Sequence, residues 1–150
     1  MSPITTIAEA ERAIEELTAL IEKLSGLLER ETALVHAGGM RRAAEIEPTK
    51  KELASRLFAS GERLKANAKF LLQSVPARCA ALKGVQDAFR AVLQKNMIVL
   101  ATAHAVSEGI VRRLSGELVR KTSPQIYGAS GRTLAPNPKH GRPLAVSRVL

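Results

Sequence analysis

From Pro76 to Lys121 the chain runs 46 residues with no proline after the first. Leu82, Phe89, Asn96, Ala103 and Ile110 recur every seventh residue, Leu93, Leu100 and Leu114 follow a second line at heptad spacing, and Val85, Val92, Val99 and Val106 form a third beside them. That pattern predicts one long helix with a broad apolar face. At about 1.5 Å per residue it reaches roughly 69 Å, too long to be buried end to end in a domain of this size. Other helices must cover part of the face, and part can be left uncovered.

Two earlier segments supply the cover. Thr6-Ile7-Ala8-Glu9 has the capping-box arrangement that starts a helix. From there Ile7, Ala10, Ile14, Leu17, Ile21, Leu24, Leu28 and Val35 alternate by three and four, with Ala13, Leu20, Leu27 and Leu34 widening the stripe. This predicts helix 1 over 7–37, ended by Gly38-Gly39, since glycine adopts the left-handed conformation of a helix cap at low cost. Glu31 interrupts the seam. A buried charge without a partner is costly, so Glu31 is expected to face water where the partner helix ends, the alternative being a pair with a nearby base. A short helical piece over 40–46 comes next. Pro48 restricts Glu47, and helix 2 is expected from 49 to 75 with Leu53, Leu57, Leu64, Ala68, Leu71 and Val75 on one face. Pro76 suits the first turn of helix 3, 76–121. Asn96, on the seam of helix 3, is expected to be buried and to set register. The expected fold class is all-α: an elongated, antiparallel, coiled-coil-like three-helix bundle over 1–121.

Composition changes abruptly after Lys121. Residues 122–150 contain four prolines, three glycines, four basic residues and no acidic one. Such a segment buries too little apolar surface to offset its ordering entropy, so a flexible basic tail is expected. Ile126-Tyr127 and the closing Leu144-Ala145-Val146 with Val149-Leu150 are apolar islands in it, either stray apolar residues or a segment that folds onto a partner.

The net charge of +9 is unevenly spread: residues 1–35 carry 3 basic and 7 acidic groups, residues 36–72 carry 8 and 4, and residues 73–121 carry 8 and 3. An acidic first helix can therefore lie beside basic neighbours, and the excess makes nucleic acid a candidate partner. One tyrosine, three phenylalanines and no tryptophan leave little for base stacking, and there is no helix-turn-helix. Cys79, the single cysteine, excludes an internal disulfide framework and fits a reducing compartment. Met1-Ser2-Pro3 leads into a polar segment with neither a basic start nor an apolar signal core, and no charge-free apolar run approaches ~18 residues. A soluble, cytoplasmic protein with no membrane insertion is expected.

Enzyme chemistry finds no carrier. There is no glycine-rich phosphate loop with its lysine, no Cys/His set at metal spacing, and His36, His104 and His140 are scattered. Gly128-Ala129-Ser130-Gly131 lacks the spacing and setting of a nucleophile elbow. A binding protein without cofactor, metal or small-molecule substrate is expected.

The order of parts then resembles a family. A heptad-rich first helix with Leu28, Glu29, Glu31, Ala33 and Leu34, a short linker, Lys50-Lys51-Glu52-Leu53, a long third helix with Asn96, and then Ile126-Tyr127-Gly128-Ala129-Ser130-Gly131-Arg132-Thr133 are similar to the FlgN-type flagellar export chaperones. The resemblance covers most of the chain, and its sharpest part is the Tyr-Gly-x-x-Gly element. It implies a cytoplasmic, all-helical, non-enzymatic chaperone that keeps hook-filament junction proteins from premature assembly and delivers them to the flagellar type III export gate. Tyr127, Gly128 and Gly131 match the tail motif and are the implied gate-docking residues. The strongly basic balance and the Pro-rich extension 136–150 depart from a typical member.

The client surface follows from helix lengths instead. With helices of 31, 27 and 46 residues joined by short turns, helix 3 outruns helix 1 by about 15 residues, roughly 22 Å. That overhang carries Val106 at its root, then Ile110, Val111, Leu114, Leu118 and Val119. An exposed apolar stripe on a soluble protein marks a partner site, and a client helix laid along it is held by anchors at three- and four-residue spacing. Val106, Ile110, Val111, Leu114 and Leu118 are the expected client-binding residues. Self-association through the same stripe, or cover by residues 40–46, competes with this assignment. The alternatives to a chaperone are a basic helical nucleic-acid-binding protein and a structural coiled-coil oligomer.

Overall fold

In a computed structural model, which describes residues 3–122, all regular structure among the described residues is helical: α1 Ile7–His36, α2 Met40–Ala44, α3 Glu47–Ala66, α4 Ala68–Ser74 and α5 Pro76–Thr122. The chain divides into two units, Met1–Val106 and Ser107–Leu150. The first contains α1 to α4 and most of α5, and it forms the bundle. The described part of the second is the final turns of α5.

Local chemistry sets the ends of α1. The Thr6 hydroxyl accepts the Glu9 N–H at 3.2 Å, while the Glu9 carboxylate accepts the N–H groups of Thr5 and Thr6 at 2.9 and 3.1 Å. The donors at the helix start are thus satisfied by side chains. The backbone hydrogen bond from Thr5, reinforced by that from Thr6, holds the Glu9 carboxyl below its ordinary range. At the other end Gly38 takes φ 75°, and the N–H groups of Gly38 and Gly39 return to the carbonyls of Val35 and Leu34 at 3.0 and 2.8 Å. This is a Schellman closure, and Gly38 is where a side chain would be strained. At Gly39 an added Cβ would lie 3.2 Å from the Leu34 carbonyl oxygen, a tight contact that a small shift of the turn would have to relieve.

α3 starts at Glu47, two residues before the expected position, with Pro48 tolerated in its first turn, where backbone N–H groups lack helical partners. The expected single helix over 49–75 is in fact two. Asn67 (φ −108°, ψ 14°) ends α3 and begins α4, and its side chain supplies the reason. Its amide nitrogen donates to the Arg63 carbonyl at 2.8 Å, and its amide oxygen accepts the Ile4 N–H at 3.0 Å. An asparagine that bonds locally competes with the helix ladder, and here the competing bond also ties down the chain before α1. Val75, pushed out of helical geometry by Pro76, makes the next turn.

α1 runs antiparallel to α3, since Ile4 meets Asn67 and Glu31 meets Lys50, and parallel to α5, since Arg78 meets Glu11 and Glu15 while Asn96 meets Glu31. The bundle is therefore up, down, up. Asn96 opposite Glu31 gives α5 an offset of about 65 positions from α1, so His36, the last residue of α1, falls alongside position 101 or so.

The main core is aliphatic. Ile14, Leu17 and Ile21 of α1 pack with Leu64, Leu71, Val75 and Leu82, and Ile4 joins them from outside the helix. Burying each such side chain contributes roughly 1.5–3 kcal/mol. Ile7, expected on the α1 seam, is exposed instead, because Ile4 fills that layer once Asn67 anchors its backbone. Leu93, expected in the α5 seam, lies at the exposed edge of the helix, whereas Val85, Phe89, Val92 and Val99 are half-buried. Ala43 and Ile46, in and just after α2, are buried in the bundle.

Asn67→Ala is expected to leave the Ile4 N–H without its acceptor and to lower unfolding stability by about 1–3 kcal/mol in urea titration. Asn67→Asp, which keeps an oxygen for Ile4, is expected to lose less.

Candidate functional site

Two features of α5 build the candidate site: the polar layer where α5 meets α1, and the apolar residues that follow the end of that pairing. The layer comes first in the chain of causes.

Glu31 is 3% exposed and Asn96 2%, so neither faces water. The expectation that Glu31 is solvated is overturned, and the alternative, a pair with a nearby base, is what the bundle contains. Lys50 donates to Glu31 at 2.8 Å and also reaches Glu47 at 2.6 Å. The Asn96 amide nitrogen donates to Glu31 at 2.9 Å, to the Thr32 hydroxyl at 3.1 Å and to the Leu28 carbonyl at 3.2 Å. Burial, the largest single influence on Lys50, pushes its ammonium down, but the hydrogen bonds and charges of Glu31 and Glu47 together outweigh it and hold the group above the ordinary lysine range. α1, α3 and α5 each contribute to this layer, and sliding any of them by a turn would strand a buried polar group. Asn96 is buried, as its seam position implied, and its hydrogen bonds join α5 to α1.

Beyond the layer the α5 face changes character. Leu100 and Ala103 are half-buried, and from Val106 on the apolar side chains are exposed. Val106 belongs to the first unit, whereas Ile110, Val111, Leu114 and Leu118 belong to the second. Ile110 is 54% exposed and Leu114 56%, with Val111 and Leu118 similar. Ile110, Leu114 and Leu118 recur every fourth residue, which keeps them on one slowly turning face, with Val111 at its margin. Leu118 and Val119 take part in further interactions, so the weight of an open stripe falls on Ile110, Val111 and Leu114. Arg112, Arg113, Arg120 and Lys121 stand among them against Glu108 and Glu117. Such a segment can dock an apolar helix and attract acidic groups beside it.

Tyr127, Gly128 and Gly131, and the tail 123–150 as a whole, lie outside the described residues. No described helix is long and apolar enough to cross a membrane. Compared with models of protein families, with curated proteins and with solved structures, the chain matches none.

Sequence reasoning missed Lys50 as the partner of Glu31. The turn alone does not find it: reflecting position 31 through Gly38-Gly39 gives position 46, and the intervening α2 carries the partner on to Lys50. It also missed Asn67, whose placement between two apolar turns marked a break.

Lys50→Met is expected to orphan the Glu31 carboxylate and cost roughly 3 kcal/mol, the low end for a broken buried pair because the Lys50 side chain is 20% exposed. Adding Glu31→Gln is expected to recover most of it. The folded Lys50 pKa is raised, so the stabilisation is complete at neutral pH and declines only as pH climbs through and above about 10.4. Urea midpoints of the three proteins at pH 7 and above pH 10 check both statements.

Proposed function

We propose that this protein is a client-binding helical chaperone of the FlgN type, which holds hook-filament junction proteins in the cytoplasm and passes them to the flagellar type III export gate. The observation that carries the reading is the exposed apolar run Ile110, Val111 and Leu114, on a helix whose pairing with α1 ends near position 101. An apolar face of that kind is suited to an apolar helix of another protein. The Tyr127-Gly128-Ala129-Ser130-Gly131 element supports the same reading through its resemblance to the family's tail motif, with Tyr127, Gly128 and Gly131 as the gate-docking residues.

The mechanism needs no chemistry beyond masking. A junction protein kept from assembling must have its own assembly helix covered, and the run at Ile110 to Leu114 offers anchors at helical spacing. The basic residues Arg112, Arg113, Arg120 and Lys121 orient an acidic client and speed encounter more than they add affinity.

Changing Ile110, Val111 and Leu114 together to aspartate is expected to weaken binding of a purified hook-filament junction protein by roughly thirtyfold or more in calorimetric titration, while helix content is unchanged because the three side chains are exposed. Tyr127→Ala is expected to leave that binding intact and abolish export. Undiminished client binding by the triple variant removes the stripe from the account. Tight, steeply salt-dependent binding of duplex DNA with no client affinity favours the nucleic-acid reading, and a concentration-dependent mass with no client favours the coiled-coil oligomer.

A further inference from the structure

A second surface lies wholly within the first unit. Between α3–α4 on one side and α5 on the other is a cleft of about 270 Å³, floored by Ile14 and Leu17 of α1. Gly61 leaves its wall open: an added Cβ there would meet nothing within 4 Å. On the α3–α4 wall Gly61, Lys65, Ala68 and Leu72 recur by three and four; Leu72 is 63% exposed, and Phe58, just before the wall on α3, is 72% exposed. Cys79, Lys83 and Gln86 repeat the same spacing on α5. Two parallel stripes of this period are what a three-helix bundle presents to a fourth helix.

The charges narrow the occupant. Among the described residues the charged ones lining the cleft are Lys65 and Lys83, with no acidic side chain in the lining; Lys65 also reaches Glu62 of its own helix at 3.6 Å, and no such ion pair engages Lys83 among the described residues. We infer that this cleft docks an amphipathic helix of a partner protein, apolar along one side and acidic along its margins, whose apolar side chains enter over Gly61 while its carboxylates meet Lys65 and Lys83. From Gly61 to Leu72 the lining residues cover about 16 Å at ~1.5 Å per residue, room for roughly three helical turns. The occupant is not the chain's own acidic α1, because α1 already forms the floor. The site is independent of the Ile110 to Leu114 run and of the function proposed for it.

Cys79, the chain's one cysteine, lines the cleft and reports on it directly. The full chain is titrated with two synthetic helical peptides that share leucines at three- and four-residue spacing, one with glutamates at the margins and the other with lysines there. Iodoacetamide alkylation of Cys79 and fluorescence anisotropy of the labelled peptide are the readouts. The glutamate peptide is expected to bind at least about tenfold more tightly than the lysine peptide and to slow Cys79 alkylation, and Lys65→Glu with Lys83→Glu is expected to reverse the preference. Gly61→Leu, which fills the cleft while favouring the helix, is expected to abolish binding, whereas changes at Ile110 and Leu114 leave Cys79 protection unaltered. Equal binding of both peptides, binding that survives Gly61→Leu, or a self-associated chain that protects Cys79 without peptide each overturns the proposal.

Discussion

A carboxylate that leaves water must find compensation, and the bundle is arranged around that requirement at Glu31. Alone at 3% exposure the group would be untenable. Lys50 from the antiparallel helix supplies the charge, Asn96 from the parallel helix supplies a second donor, and Thr32 and the Leu28 carbonyl share the same amide. Leucine and valine seams tolerate slippage, because one apolar layer resembles the next. A layer that contains one acid, one base and one amide matches itself in a single alignment only.

Everything distinctive about α5 follows from that alignment. With Asn96 held opposite Glu31, α1 runs out near position 101 of α5 while the helix continues to Thr122. The aliphatic core at the other end of the bundle, from Ile4 to Leu82, holds most of the buried apolar residues described, and apolar layers of this kind carry little register information. Asn67 plays the corresponding part there, since it breaks the descending helix and uses the freed side chain to hold Ile4 in place. Two asparagines and one ion pair thus direct a fold whose stability is mainly hydrophobic.

The all-α bundle, the capping box at Thr6, the glycine closure at Gly38-Gly39 and the start of α5 at Pro76 were legible in the sequence because each depends on local periodicity or backbone chemistry. The exposure of Ile110, Val111 and Leu114 was also legible, since it needed only helix lengths. What failed was non-local. Glu31 reads as solvent-facing because its partner lies 19 residues away across a turn, and Ile7 reads as core because nothing in sequence shows that Ile4 folds back to take the layer. Asn67 was passed over as an ordinary helical residue because its value lies in reaching a backbone 63 residues earlier. The cleft beside Gly61 was invisible for the same reason: its two walls become neighbours only once the register is set.

The central claim is that this polar layer selects the register, and spin labels at the exposed positions Lys23 and Lys95, in a Cys79→Ser background, test it most directly. With Glu31, Lys50 and Asn96 intact, pulsed dipolar spectroscopy is predicted to give one narrow distance distribution. With all three replaced by leucine, helicity is predicted to persist while a second population appears, displaced along the axis by about one heptad, roughly 10 Å. A single, unchanged distribution in the leucine variant would contradict the account.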